Sequence, residues 1–390
     1  MRLGIYADLV YRADDGGLST DRAFILFITA LAERIDELVV FGRLDPKSGR
    51  APYALPGRIR FVALPHYARV TSIGALLGGI AGARRTFAAE LEQLDAVWVF
   101  GPHPVALEFV RLARARRVPV VLGIRQDFPA YIARRLPSRR WLWAIPAAHA
   151  LDHVFRLLAR RLPTVVVGEA LGRKYGGTRD GRVHVVGISL VRRSAVATAE
   201  DVVRKDWSGE LQLLSVGRLD NEKNPLLLPE ILARLRDARA PWRLVAVGEG
   251  TLAPAVAARA AELGVVDNLA LPGYVPHGDA LLDLYQRSHA FLHVSLTEGL
   301  PQVLFEAQAA GLPVVATDVG GVAAALGHGE RGLLVAPANA SAAAKACERL
   351  RRDPELRNRL IRRGIEFARR ESIESQLDRL VGFLEVHLRT

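Results

Sequence analysis

The sequence predicts an α/β fold made of two parallel-sheet domains in series, and three observations indicate it. Short apolar runs typical of buried strands alternate with longer helical segments, which is the pattern of a parallel sheet covered on both faces. The alternation occurs twice, on either side of the polar stretch 192–209, which has no strand pattern. At 390 residues the chain is also too long for one ordinary core and fits two domains.

We expect two doubly wound, Rossmann-like domains facing a cleft, because open α/β sheets bind ligands at the carboxyl ends of their strands. The predicted N-terminal domain covers residues 1–190 and the predicted C-terminal domain covers 191–368, with 192–209 as the linker. A C-terminal helix over 369–390 is expected to pack back toward the N-terminal domain.

In the first half, the strands are runs rich in Val, Ile and Leu. A polar loop, Tyr11–Ser19, follows the first strand and contains Gly16 and Gly17, and Thr20 is placed to cap the next helix. The predicted strands are Arg2–Val10, Leu38–Phe41, Ile59–Leu64, Ala96–Gly101, Val118–Ile124, Thr164–Val167 and Val183–Ile188. The predicted helices extend from Thr20 to about Arg34 and over Ile73–Leu94, Val105–Ala115 and 147–162.

The second half repeats the pattern, and its clearest unit is a strand, loop, helix and strand over residues 290–321. Pro301 suits the first turn of that helix, because its missing N–H is not needed there. The predicted strands are Leu211–Val216, Trp242–Val247, Asn268–Leu271, Ala290–Leu296, Leu312–Thr317 and Gly332–Val335. The predicted helices are Pro225–Leu235, Thr251–Leu263, the segment from Pro301 to Gly311, and a charged tail over 340–388.

Composition and charge narrow the class of protein. A single cysteine, Cys347, excludes an intramolecular disulfide and suits a reducing cytosol. We see no signal peptide and no uncharged apolar stretch long enough to span a bilayer. The whole net charge of +12 lies in residues 1–190, which contain 28 Lys and Arg against 16 Asp and Glu, whereas the rest contains 25 of each. A basic half suits an anionic partner; the alternative is arginine scattered over solvated faces.

Two carboxylates mark the loop and helix of the 290–321 unit. Glu298 lies in the loop beside the amides of Gly299, Leu300 and Gln302, and Glu306 lies about one turn into the helix. A helix N-terminus at the end of a parallel strand favours anions, and a carboxylate can accept hydrogen bonds from a vicinal diol such as ribose. The alternative is that both glutamates are ordinary surface residues.

Two cations follow the strand Leu211–Val216, in the segment SVGRLDNEKNP. Gly217 lets a ligand approach the backbone, while the planar fork of Arg218 and the point charge of Lys223 suit a diphosphate. Solvated loop cations are the alternative. The segments 248–250 (GEG) and 273–275 (GYV) end two further strands at the same predicted edge.

These segments together carry a family resemblance. The motifs VGRLDNEKN, VGEG, PGYV and TEGLPQVLFEAQAAGLPVVATDVGG, with two glutamates seven residues apart, resemble those of retaining GT-B glycosyltransferases of family 4 (glycosyl transferases group 1). Residues 211–335 match well, whereas the N-terminal half matches only in layout.

The resemblance implies a nucleotide-diphosphate sugar as donor, UDP-linked in preference to GDP-linked, and no cofactor. It implies catalytic roles for Arg218 and Lys223 on the diphosphate and for Glu298 on the transferred sugar. Glu306 would bind the ribose. The other implied donor contacts are Gly16, Gly17, Gly217, Gly250, Tyr274, Val275, Gly299, Leu300, Pro301 and Gln302.

The sequence departs from the family pattern on the acceptor side. Where the family often has a His–Asp pair after a mid-domain strand, this chain has Gln126 and Asp127. Gln126 can form hydrogen bonds but cannot titrate. His103 is a further candidate contact for the acceptor or sugar, with a plain surface-loop histidine as the alternative. An acidic residue common after the glycine pair is replaced by Ala323 and Ala324.

The predicted reaction transfers a sugar to a hydroxyl with retention of configuration, without a metal, because the chain has no Asp-x-Asp pair. Cations and helix-terminal amides would stabilise the departing diphosphate. The alternatives are a nucleotide-sugar-binding protein without transfer and a nucleotide-sugar epimerase. A dinucleotide oxidoreductase lacks its G-x-G-x-x-G after the first strand, and no motif supports nucleic-acid binding.

Residues 134–163 combine arginines with Trp141 and Trp143 and an apolar stripe at helical spacing. Such a segment can lie on an anionic leaflet, in which case the acceptor is a lipid or lipid-linked glycan. We therefore expect a cytoplasmic protein, peripheral at the inner face of the plasma membrane. The alternative is an amphipathic helix that packs on its own domain.

Overall fold

The structure, a computed structural model, describes residues 1–66, 73–134, 136, 138–176, 181–187, 189–198, 200, 202 and 205–388. Parts of four predicted segments lie outside these residues: position 188 of the seventh strand, several positions of the linker, positions 135 and 137 of the basic segment, and positions 389 and 390 of the C-terminal helix. The chain divides into two compact units, unit 1 (Met1–Ile188 with Gln376–Thr390) and unit 2 (Ser189–Ser375).

Unit 1 contains a nine-stranded sheet whose larger part is parallel. Its strands are β1 (Arg2–Asp14), β2 (Gly17–Thr20), β3 (Glu37–Leu44), β4 (Tyr53–Ala54), β5 (Arg60–Leu64), β6 (Ala96–Gly101), β7 (Val120–Ile124), β8 (Thr164–Val167) and β9 (Val183–Val186). The parallel pairs follow the order β5-β3-β1-β6-β7-β8-β9. The helices are Phe24–Leu31, Ile73–Glu90, Pro104–Ala115, Phe128–Arg134, Ala144–Ala159, Glu169–Tyr175 and most of Ile373–Leu388.

The prediction that Tyr11–Ser19 forms a loop is wrong. Strand β1 continues to Asp14, turns tightly, and pairs antiparallel with β2. The sequence pattern does not reveal this hairpin because its strands are short and polar, although a glycine pair with a positive φ at Gly17 (109°) suits such a turn. The first helix consequently begins at Phe24, without Thr20 as its cap.

Unit 2 contains a six-stranded, fully parallel sheet in the order β12-β11-β10-β13-β14-β15. These strands are β10 (Leu211–Val216), β11 (Trp242–Val247), β12 (Leu269–Gly273), β13 (Ala290–His293), β14 (Val314–Thr317) and β15 (Leu333–Val335). The helices are Leu227–Asp237, Ala253–Glu262, Asp279–Arg287, Gln302–Ala309, Val322–Ala325, Ala340–Arg352, Pro354–Arg370 and the start of Ile373–Leu388.

The central strands of unit 2 are mostly apolar because both of their faces are buried. Leu213 and Leu292 lie in the core against one helix layer, whereas their neighbours Leu214 and Phe291 lie in a second core on the opposite face. Burial on both faces is what predicts a parallel sheet from continuous apolar runs. The doubly wound α/β class is therefore confirmed in each unit.

The basic segment forms the helix Ala144–Ala159, whose apolar stripe packs inward. Phe155 is fully buried, and Leu151, Leu158 and Leu162 pack against the core of unit 1. This stripe is therefore not a lipid-facing surface, contrary to the membrane interpretation of it. In the described part of the chain, no helix is both long and apolar enough to cross a bilayer.

Candidate functional site

The loops that follow β10 and β13 are neighbours because these two strands are hydrogen-bonded to each other in the sheet of unit 2. After β10 the chain passes through a short turn of 3₁₀ helix, Asn221–Lys223. Asn224 then adopts a left-handed conformation, with φ 50°, before the next helix. The amide of Leu296, in the other loop, donates to the carbonyl of Glu222 at 2.9 Å, so the two loops are joined directly.

Three polar groups converge on one oxygen of Glu298. Its Oε1 lies 2.5 Å from Nζ of Lys223, 2.7 Å from Oγ of Ser295 and 3.0 Å from Nε2 of His293. The Glu298 side chain is only 9% exposed. Burial alone would raise the pKa of this carboxyl, but the hydrogen bond from His293 and the charge of Lys223 outweigh it and lower the pKa to about 2. Glu298 is therefore ionised throughout the neutral range.

Arg218 has a different environment, close to solvent. Its Nη1 lies 3.0 Å from Oδ2 of Asp220, and its Nη2 pairs with Glu222. The side chain remains 52% exposed. Arg218 and Lys223 thus both reach the carboxyl edge of the sheet, and in the protein alone each is paired with a carboxylate.

A glycine pair fixes the Glu298 loop from the other side. A Cβ on Gly320 would lie 2.0 Å from the carbonyl oxygen of Glu298, and one on Gly321 would lie 1.9 Å from that of Gly299. Gly320 also has a positive φ of 53°. The segment after β14 can therefore approach this loop only because both residues lack a side chain.

The backbone at the start of the next helix is open. Among the described residues, the amides of Gly299 and Leu300 donate no hydrogen bond, and a Cβ on Gly299 would meet nothing within 4 Å. Pro301 is the N-cap and Gln302 the first residue of the helix Gln302–Ala309. Free amides at a helix N-terminus are suited to an anion or a hydroxylated ligand.

Glu306 lies one turn into that helix and is largely buried. Its Oε2 accepts from the hydroxyl of Tyr285 at 2.7 Å, and its Oε1 lies 3.7 Å from Nε2 of His277. Burial raises the pKa of Glu306, although the charge of His277 and the Tyr285 hydrogen bond oppose this in part. Glu306 is thus a carboxylate oriented by Tyr285, and its Oε1 can accept from the hydroxyls of a ligand.

The loops after β11 and β12 complete this edge. The amide of Gly248 donates to the carbonyl of Gly273 at 2.8 Å, and a Cβ on Gly250 would lie 2.4 Å from backbone atoms of Leu219. Gly217 has open space instead, because a Cβ added there would meet only Lys223, at 4.0 Å. Tyr274 is 48% exposed, and Val275 packs against the core.

Residues 199–367 match the family model described as "Glycosyl transferases group 1". The similarity to this family lies within that segment, which is less than half of the chain. The segment contains every residue of unit 2 that the sequence singled out, and it extends past the motifs 211–335 on which the predicted resemblance rests. The resemblance to glycosyl transferases group 1 is confirmed, whereas retention of configuration stays a prediction.

Relatives and solved structures agree with the group 1 assignment. The chain is 34% identical to D-inositol 3-phosphate glycosyltransferase of Acidothermus cellulolyticus over 44% of its own length, and spans only 40% of that relative. It is 27% identical to the putative glycosyltransferase EpsD of Bacillus subtilis over 66% of this chain and 68% of the relative. The structure superposes on Anabaena Alr3699/HepE, solved in complex with UDP, with a TM-score of 0.73 and 15% identity over 99% and 100% of the two chains. This similarity shows the GT-B fold.

Unit 1, which lies entirely outside the group 1 segment, contains the remaining predicted residues. Gly16 lies in the two-residue turn of the β1–β2 hairpin and Gly17 begins β2, and the Gly16 amide donates to Oδ1 of Asp14 at 2.9 Å. That amide already has an acceptor, whereas a Cβ on Gly17 would meet nothing within 4 Å. Their predicted contact with the donor phosphate stays a prediction.

His103 is buried rather than placed on a surface loop. Its Nδ1 accepts from the amide of Val105 at 3.2 Å, so it caps the helix Pro104–Ala115. The hydroxyl of Tyr6 lies 3.1 Å from the same nitrogen, and Nε2 lies 3.7 Å from Asp8. Burial lowers the pKa of His103, against the charge of Asp8, which raises it.

Gln126 and Asp127 follow β7, at the carboxyl edge of the sheet of unit 1. Gln126 is exposed. Asp127 accepts from the amide of Ala130 at 3.2 Å and pairs with Nζ of Lys174 at 3.0 Å. Asp127 therefore has structural partners, whereas the Gln126 amide faces solvent.

Sequence reasoning does not find the residues that orient the two glutamates: His293, Ser295 and Tyr285. His293 belongs to an apolar strand, and Tyr285 is a buried helical residue with no motif around it. The one signal available is a histidine and a serine at the end of an otherwise apolar run.

In the described residues, no group of three histidine, cysteine or acidic side chains is arranged to bind a metal ion.

Proposed function

We propose that the protein is a retaining glycosyltransferase that transfers a sugar from a nucleotide-diphosphate sugar, UDP-linked in preference to GDP-linked, to a hydroxyl acceptor. The observation that supports it best is the convergence of two cations, two oriented carboxylates and free helix-terminal amides at one edge of the sheet of unit 2. Arg218 and Lys223 would bind the diphosphate, Glu306 the ribose, and Glu298 with the amides of Gly299 and Leu300 the sugar.

The geometry argues against Glu298 as a nucleophile or base. Its pKa of about 2 and the three polar groups at Oε1 make this carboxylate a weak proton acceptor at neutral pH. We therefore assign the acceptor's proton to an oxygen of the departing diphosphate. The acceptor oxygen bonds to the anomeric carbon as the bond from that carbon to the phosphate oxygen breaks.

The cations would act by opposing the charge that grows on the diphosphate as it leaves. In the protein alone, Lys223 is paired with Glu298 and Arg218 with Asp220 and Glu222. Donor binding would redirect part of their hydrogen bonding to phosphate oxygens, which then become better acceptors in the transition state. Removal of one such donor typically costs about 10²–10³ in rate.

The decisive experiment measures UDP release from UDP-sugars with a panel of hydroxylated acceptors, with the anomeric configuration of the product read by NMR. We expect transfer with retention, and a strong loss of kcat/KM in Lys223→Ala and Arg218→Ala. Arg287→Ala is the matched control, because Arg287 is exposed and pairs only with Asp283 on its own helix. Wild-type activity in both site variants would contradict the assignment. Binding without turnover would favour a non-catalytic nucleotide-sugar protein, and donor conversion without acceptor would favour an epimerase.

We propose further that the acceptor is a glycan or lipid-linked glycan presented at the anionic inner face of the plasma membrane. The supporting observation is an apolar pair, Leu142 and Trp143, each 54% exposed next to the exposed Arg140. Vesicles with anionic lipid should pellet the wild-type protein at low salt, and Trp143→Ser should weaken this. Equal pelleting with neutral vesicles, or none at all, would contradict it.

A further inference from the structure

Arg125 is the first residue after β7, at the carboxyl edge of the sheet of unit 1. Its guanidinium carbon lies 4.0 Å from the ring centroid of Phe24, a residue of the first helix. The stacking fixes the plane of the guanidinium, and the residue is only partly exposed to solvent. Arg125 is therefore an oriented and partly shielded cation.

Its charge is not balanced by the protein. Within the described part of the chain, no carboxylate or carbonyl lies within hydrogen-bond or ion-pair distance of the Arg125 guanidinium. The charged group that acts on it is a second cation, Arg22, and the buried hydroxyl of Tyr11 is the remaining electrostatic neighbour. Burial first, and Arg22 next, lower the pKa of Arg125 to about 10. Shielding a cation from water without pairing it has a cost in free energy, which a bound anion would offset.

Other stacked arginines in the chain show what ordinary pairing looks like. Arg331 lies 3.8 Å from the ring of Phe367 and also donates to two backbone carbonyls. Arg357 lies 4.1 Å from the ring of Trp207 and likewise donates to two carbonyls. Arg125 shares the stacking but has no acceptor among the described residues, so its guanidinium is available to a ligand.

We propose that Arg125, assisted by Arg22, is an anion subsite in unit 1 that binds a phosphate or carboxylate group of the acceptor. A planar guanidinium binds either group through two parallel hydrogen bonds. Asp127 does not compete for Arg125, because its carboxylate is paired with Lys174. The assignment of the anion to the acceptor rests on the proposed transferase function, whereas anion binding by Arg125 does not.

The first test uses the full-length protein saturated with UDP, so that the donor site is occupied when phosphate is added. Calorimetric titration with inorganic phosphate, and then with glucose 6-phosphate against glucose, compares wild type with Arg125→Gln. We expect binding of both phosphates to weaken about tenfold to a hundredfold in the variant, with unchanged UDP affinity. Arg114→Gln, which changes an exposed arginine of the same unit, should match wild type. Equal phosphate affinity in all three proteins would overturn the subsite.

The second test needs no variant. Phenylglyoxal modifies accessible arginines, and peptide mass mapping of the UDP-saturated wild-type protein reports which are protected. Inorganic phosphate should protect Arg125 if the natural group is a soluble sugar phosphate. Protection by phosphatidic acid vesicles alone would assign the same subsite to a lipid headgroup. Protection by neither would overturn the proposal, while a failure of UDP itself to bind would count against the donor site instead.

Discussion

Lys223 and Glu298 are 75 positions apart in the sequence, yet Nζ of the lysine lies 2.5 Å from Oε1 of the glutamate. The pair exists because β13 lies next to β10, although two strands, β11 and β12, separate them along the chain. In the protein alone, Glu298 is paired with Lys223, the cation that a diphosphate would need to contact. The pair is therefore expected to affect donor binding and catalysis in opposite directions.

Glu298→Gln tests this opposition. Loss of the carboxylate charge frees Lys223 for phosphate, so UDP should bind up to about tenfold more tightly. Transfer should nevertheless slow about 10²–10³-fold, because the sugar loses a charged hydrogen-bond acceptor in the transition state. Calorimetry with UDP and steady-state kinetics with a UDP-sugar measure the two effects separately.

Glu249→Gln is the matched control, since Glu249 is an exposed carboxylate of the neighbouring loop that shares none of the Lys223 contacts. It should leave both quantities close to wild type. A Glu298→Gln protein whose affinity for UDP is unchanged or weaker would show that pairing with Glu298 does not reduce the binding of UDP by Lys223.

Glu298 also predicts a specific dependence of stability on pH. Its pKa falls from 4.5 to about 2 on folding. A carboxyl with a lowered folded-state pKa stabilises the protein fully above its unfolded-state pKa, and this contribution disappears as the pH falls through the folded-state value. The difference in free energy of unfolding between wild type and Glu298→Gln should therefore shrink by about 3 kcal/mol between pH 5 and pH 2.

Chemical denaturation at several pH values measures that difference. In His293→Gln the folded-state pKa of Glu298 should be higher, because the hydrogen bond from His293 is the largest of the effects that lower it. The stability that Glu298 contributes should then be lost at a higher pH than in wild type. A wild-type-minus-variant difference that is flat over this range would mean that Glu298 is not held as the structure shows.

The strands could be predicted from the sequence because burial on both faces leaves continuous apolar runs, as in Leu211–Val216 and Leu312–Thr317. The loop residues of the site could be predicted because glycines, cations and carboxylates follow those strands. The contact of Lys223 with Glu298 could not, since local patterns do not determine which strands are neighbours in a sheet.

The hairpin at Gly16 and the roles of His293 and Tyr285 could not be predicted, for other reasons. A short polar hairpin lacks the period-two alternation that identifies a strand. A buried histidine or tyrosine inside an apolar segment looks like part of the core until its hydrogen-bond partner is known. In the sequence Arg125 is only one basic residue of a polar turn, because the absence of a partner is visible only in the structure.

Tyr285→Phe probes the orientation of Glu306. Removal of the hydroxyl takes the donor from Oε2, so the pKa of Glu306, already raised by burial, should rise further. A protonated Glu306 can no longer accept from both hydroxyls of a diol, and UDP affinity should therefore be lost at a higher pH than in wild type. UDP titrations across the acid range measure the midpoint, and the fold itself should lose about 1–3 kcal/mol.

Tyr175→Phe is the control, because the Tyr175 hydroxyl also donates to a buried carboxylate, Asp152, at 2.7 Å, but in unit 1. Its midpoint should coincide with that of wild type. If both variants lose UDP affinity equally at every pH, Tyr285 contributes to packing alone and does not act through Glu306.

Alanine substitutions at Gly321 and Gly299, which lie at the same loop contact, should differ in their effect on stability while both weaken donor binding. In Gly321→Ala the new Cβ would lie 1.9 Å from the carbonyl oxygen of Gly299, so either the loop after β14 or the Glu298 loop must move. We expect a loss of about 1–3 kcal/mol in the free energy of unfolding, together with weaker donor binding.

Gly299→Ala places its Cβ in open space and should leave the unfolding free energy nearly unchanged. Donor affinity should still fall, because the methyl group occupies the space in front of the free amides. Thermal unfolding with and without UDP measures both effects, and a Gly299→Ala protein that binds UDP-sugar like wild type would remove these amides from the site.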